Sequence, residues 1–195
     1  MKNIATLSAI VCMMLLPAYV SALQIKGVTL PEQVTQDASR QKLVLNGAGI
    51  RAKFIFDIYI GALYLTEPAD SAEKILADGS PRRVVMHFLY DEIEKEKMQS
   101  AWIEGFEDNL TDAQFSGLQS EIKTFNAAFG NTMENDVVIL DFLPDNSTVV
   151  RINDTEKARI SGTDFQRALL SVWLGESPVD GRLKKAMLGW DSSTY

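Results

Sequence analysis

The apolar positions of this chain follow two rhythms, and the changes between them divide it into elements. Residues 24–65 have the short apolar runs and turn residues of strands. Gln41 to Leu45 predicts a short strand ending at Asn46-Gly47. Phe54 to Leu65 predicts a long one, rich in aromatic and β-branched residues. It does not alternate cleanly: Phe54, Phe56 and Ile58 lie on one face, Ile55, Tyr59 and Leu63 on the other. Apolar residues on both faces predict a strand covered on both sides. Asp70, with Glu73 three residues on, has capping-box spacing and predicts a short helix ended by Gly79. Arg82 to Leu89 reads as another strand.

The period then lengthens. Met98, Ala101, Trp102, Phe106 and Leu110 share one stripe of a helix predicted over 92–110. Thr111 and Gln114 form a second capping box, opening a helix with Phe115, Leu118, Ile122, Phe125 and Phe129 on its apolar face. Strands return at Val137–Leu143, Thr148–Ile152 and Lys157–Ile160, with Pro144-Asp145-Asn146 and Asn153-Asp154 as turns. Ser161 is expected to cap a helix with Phe165, Ala168, Leu169, Val172 and Trp173 inward, closed by Gly175. Ser177-Pro178 is expected to open the last helix, Gly189 to close it, and the tail after Trp190 to fray. The order predicts one α+β domain, a mainly antiparallel β-sheet with a helical layer packed on one face.

The N-terminus changes where that domain begins. Lys2 precedes an apolar run from Ile4 to Leu16, Pro17 breaks it, and Val20-Ser21-Ala22 supplies small residues for a peptidase. This predicts a cleaved secretory signal over 1–22 and a domain over 23–195. An uncleaved anchor is the rival reading, but the apolar core falls short of the ~20 residues of a span. No later stretch is long and apolar enough to be an integral membrane segment. The only cysteine, Cys12, leaves with the signal, so export without disulfides points to a periplasm. Net charge is −7, and an acidic surface disfavours nucleic acid.

Candidate chemistry is sparse. Gly47-Ala48-Gly49-Ile50-Arg51-Ala52 has dinucleotide-fingerprint spacing, but a strand follows where a helix is required, so it reads as a glycine turn between strands. His87, the only histidine, lies between Met86 and Phe88 and is expected to be structural; it builds neither a metal site nor a triad. No cofactor or metal is expected. Trp102 and Trp173 sit on core-facing stripes and either pack the core or line a cleft. Arg51 is an exposed loop residue or, if it points inward, needs an anionic partner such as a ligand carboxylate or phenolate.

Leu45-Asn46-Gly47-Ala48-Gly49-Ile50-Arg51, the Phe54–Leu65 segment ending Ala62-Leu63-Tyr64-Leu65, and the run from Phe165 to Gly175 resemble the chalcone isomerase family, especially its bacterial chalcone-isomerase-like branch. Gly27-Val28-Thr29-Leu30-Pro31 and Lys184 to Gly189 also fit. The resemblance covers nearly all of the exported chain. It implies a chalcone isomerase-like fold with a ligand cleft between sheet and helices. Arg51 matches the arginine that positions a phenolate in plant enzymes. Tyr59 and Val172 stand where that family has threonines, Ala101 replaces an asparagine, and no residue matches the family tyrosine. A non-catalytic branch holds fatty-acid carboxylates with an arginine and a nearby tyrosine, which Arg51 and Tyr59 resemble.

The resemblance therefore implies a non-catalytic protein binding a fatty acid or similar small amphipathic carboxylate through Arg51 and Tyr59, with Trp102, Val172 and Trp173 as candidate cleft lining. The alternatives are an isomerase or lyase acting on a phenolic or enone compound, and an envelope module whose cleft serves a partner protein.

Overall fold

The computed structural model describes residues 22–190; the expected signal and the tail after Trp190 lie outside the described residues, Ala22 excepted. An antiparallel hairpin opens the fold, β1 (Ala22–Ile25) with β2 (Val28–Pro31). A seven-stranded antiparallel sheet follows, in the order β11-β10-β9-β6-β5-β4-β3. Its strands are β3 (Gln33–Gln36), β4 (Gln41–Lys53), β5 (Phe56–Leu65), β6 (Arg82–Phe88), β9 (Val137–Phe142), β10 (Ser147–Ile152) and β11 (Thr155–Ser161). A small ribbon pairs β7 (Glu92–Ile93) with β8 (Thr132–Met133). The helices are α1 (Ala72–Ala77), α2 (Lys95–Glu107), α3 (Asp112–Gly117), α4 (Gln119–Ala127), α5 (Thr163–Leu174) and α6 (Gly181–Met187). This is the expected α+β architecture.

β5 is buried along nearly its whole length, as its two apolar faces require. Tyr59, Leu63 and Leu65 join Met86, Phe88, Leu140 and Phe142 in the large core under the helices. Ile60, Ala62 and Tyr64 join a second, smaller core with Ile25, Leu30, Leu43 and Ala48, where the β1–β2 residues cover the other face. That face also carries a buried ionic cluster. Asp141 of β9 is fully buried and receives Arg83 Nε at 2.7 Å and Nη2 at 2.9 Å from the adjacent strand. Arg151 approaches the same carboxylate at 3.3 Å, and Gln36 Nε2 donates to it at 3.1 Å.

Several boundaries differ from the sequence reading, each for a local reason. No turn occurs at Asn46-Gly47: β4 runs through both glycines to Lys53, and the turn lies at Phe54-Ile55. The ladder shifts register between Leu45 and Gly47, leaving Asn46 to bond Ala69 and the Met187 carbonyl with its side chain. Ser71, not Asp70, caps α1 by accepting from the Lys74 amide. Glu92-Ile93 is claimed by β8, so α2 starts only at Lys95. The Thr111–Gln114 capping box forms, but Leu118 divides the predicted helix into α3 and α4. Ser161 stays paired in β11; Gly162, at φ 130°, turns the chain into α5. The last helix begins after Asp180, whose carboxylate accepts the Arg182 and Leu183 amides, rather than at Ser177-Pro178.

Candidate functional site

Arg51 and Tyr59 are direct partners across the β4–β5 ladder. Arg51 is thus a half-buried strand residue, not an exposed loop residue. Its Cζ lies 5.6 Å from the centroid of the Tyr59 ring, a cation–π contact. Its Nε is buried with no hydrogen-bond partner, and it makes no ion pair among the described residues. The neighbouring acid, Asp180, is already engaged: its carboxylate accepts from the amides of Ala52, Arg182 and Leu183.

Tyr59 is buried, and its hydroxyl oxygen accepts from Trp173 Nε1 at 2.9 Å. Burial pushes the phenol above its usual range, opposed by the Arg51 charge and the Trp173 bond and reinforced by Asp180. The hydroxyl therefore keeps its proton and donates it to no acceptor among the described residues.

Between the sheet, α2 and α5 lies a cavity of about 50 Å³. Its walls include Tyr59, Met86, Phe88, Met98, Trp102 and Val172, all buried. Arg51, Ile93, Lys97, Ala101 and Val179 complete it and keep part of their surface in solvent, so they mark its mouth. Trp102 Nε1 is buried without a partner, while its ring stacks edge-on against Phe125 and Trp173. The predicted Arg51, Tyr59, Trp102 and Val172 thus line one cavity, from the sheet, α2 and α5. Trp173 does not line it; it reaches the site by holding the Tyr59 oxygen. Lys97, Ile93 and Val179 come from a helix, a ribbon and a loop, and no motif marks them. Met86 and Phe88 were not singled out either; the signal that could have found them is their alternation with His87, which faces the other way, paired with Ile60.

A larger hollow lies elsewhere. A groove of about 850 Å³ is lined by residues such as Glu73, Asp108, Asp164, Arg167 and Lys184. It contains none of the predicted residues and none of the buried side-chain atoms left without a partner. Among the described residues, no group of three or more His, Cys, Asp or Glu side chains could hold a metal ion. No helix among them is long and apolar enough to cross a membrane.

A fatty-acid binding protein of Arabidopsis thaliana has a similar solved structure. The TM-score is 0.71 at 14% sequence identity, covering 86% of this chain and 96% of that one. No curated protein sequence matches the chain. The family profile described as chalcone isomerase-like matches residues 22–189, which takes in every described strand and helix. The chain belongs to the chalcone isomerase-like family.

Proposed function

We propose that this protein binds a fatty acid or similar small amphipathic carboxylate between its sheet and helices, without catalysing a reaction. One observation carries the reading. Arg51 Nε and Trp102 Nε1 are buried donors without acceptors, and with Tyr59 they belong to the wall of one largely apolar cavity. An unsatisfied buried donor costs about 1–3 kcal/mol, and a carboxylate that accepts from it removes the cost. A guanidinium also suits a carboxylate better than an ammonium does. The fatty-acid binding activity of the Arabidopsis protein supports the same reading.

The cavity is small beside the roughly 300–1,000 Å³ of ligand pockets. An acyl chain must therefore part α2 from α5 and the sheet. Met86 and Met98 can repack without strain, because an unbranched thioether has several accessible rotamers.

Titrating a mid-chain fatty acid tests this. Arg51→Ala is expected to weaken binding by roughly 1.5–3 kcal/mol, Arg51→Lys by less, and Tyr59→Phe by about 1 kcal/mol. Equal affinity of the wild type for the acid and its neutral methyl ester would overturn the reading. So would chalcone ring closure well above the buffer rate that is lost in Arg51→Ala.

We further propose that the protein works in a periplasm, supported by Lys2, the Ile4–Leu16 run and Val20-Ser21-Ala22. N-terminal sequencing of the exported protein is expected to begin at or near Leu23; a membrane-bound product beginning at Met1 would contradict it.

A further inference from the structure

The turn between β4 and β5 exposes three consecutive large apolar residues. Phe54 is 91% exposed, Ile55 89% and Phe56 49%. Phe56 still packs edge-on against Tyr90; Phe54 and Ile55 form the apex. Phe54 also has a φ of 58°, a left-handed conformation that a bulky residue adopts only at a cost. Solubility favours a polar residue at such an apex, and backbone geometry favours glycine or asparagine. Both local rules are broken at one position, away from either core.

We propose that this turn is a lipid-docking finger, Phe54 and Ile55 inserting into a membrane surface. The available area selects the occupant. An aromatic side chain buries about 150–250 Å². Scaled by their exposures, the three residues together offer roughly 340–570 Å², below the ~800 Å² per partner of a stable protein interface. A bilayer needs no complementary shape and takes apolar side chains about 5–10 Å deep. Lys53, at the foot of the turn, is exposed and makes no ion pair among the described residues, which suits a headgroup phosphate.

The finger is continuous with the cavity. Arg51 stands three residues before Phe54, about 10 Å back along the strand. Insertion of the apex brings Arg51 to headgroup depth, where the carboxylate of a membrane-dissolved fatty acid sits. The docking itself does not depend on the carboxylate reading; only the delivery of that ligand does.

Flotation with phosphatidylethanolamine–phosphatidylglycerol vesicles tests the proposal. The wild-type protein is expected to float, and the double variant Phe54→Ser/Ile55→Ser to partition at least about tenfold less. Phe54→Gly removes the ring but keeps the turn, so it should lower partition without lowering Tm. Fatty-acid affinity in vesicle-free buffer should match wild type in the double variant, since neither residue lines the cavity. A wild type that stays with the soluble fraction, or equal partition of wild type and double variant, overturns the docking. Self-association abolished by the double substitution, without vesicle binding, overturns it in favour of a second copy. A wild type that floats but binds no fatty acid supports the docking and defeats the carboxylate reading alone.

Discussion

Replacing Asp141 with alanine is expected to cost about 3–5 kcal/mol of folding stability. The carboxylate is fully buried, and Arg83, itself only 8% exposed, forms a two-pronged bond to it. Removing the acid leaves that guanidinium desolvated and unpaired, which costs more than the pair contributes when intact. Gln36 Nε2 also loses an acceptor, though it keeps the carbonyls of Arg82 and Phe142. Asp37 supplies the control. It bonds Arg151 at 2.7 Å but is 72% exposed, so Asp37→Ala should cost at most about 1 kcal/mol. Urea unfolding with an unchanged m-value measures both. Near-equal losses would mean that the cluster is hydrated rather than dry. Replacing Arg83 and Asp141 together with methionine and leucine should recover most of the loss.

Gly47→Ala is the second large effect expected. A Cβ on Gly47 would collide with the Ala186 carbonyl and crowd the Met187 carbonyl and the Gly189 amide. All three are backbone atoms at the C-terminal end of α6, so no side chain can swing aside. Either α6 lifts from β4 or the strand bends, at about 3 kcal/mol. For a chain of this size that lowers Tm by roughly 6–12 °C. Moving α6 also disturbs Asp180, whose carboxylate ties this helix to the Ala52 amide beside Arg51. Fatty-acid affinity should therefore fall with stability. Gly79→Ala, with open space around its Cβ, should leave both unchanged.

Gly47 also shows how far the sequence was readable. Asn46-Gly47 between two apolar runs has the composition of a turn, and composition does not distinguish a turn from a bulge pressed against a helix end. The distinguishing partner, α6, is about 140 residues away in the chain. Elements with strong periodicity were legible: β6, β9 and β10, the stripes of α2 and α5, and the two-faced burial of β5. Caps were less so, because Ser71 and Asp70 are both competent and only geometry chooses. The ribbon of Glu92-Ile93 with Thr132-Met133 was invisible, since two-residue strands carry no period. At the site, Arg51 and Tyr59 were reached through family resemblance, and their juxtaposition follows from strand register once the turn is placed correctly. The unpartnered Trp102 indole nitrogen could not be seen in advance, because it depends on what surrounds the ring rather than on its stripe.

The strand order also bears on how the chain folds. Five of the six pairings in the seven-stranded sheet join strands by short return: β3 to β6 form one meander and β9 to β11 another. Only the β6–β9 pairing is non-local, because residues 89–136 and most of the helical layer intervene. Its closure must meet the loop entropy of that long excursion before any burial compensates, so it is expected to limit the folding rate. Arg83 and Asp141 face each other across this seam. The ion pair thus sits where two independently formed halves must register, and a slip of one residue would turn one of its charges into the apolar core. Its contribution to folding is then a matter of alignment as well as stability, an address that the two meanders read when they meet.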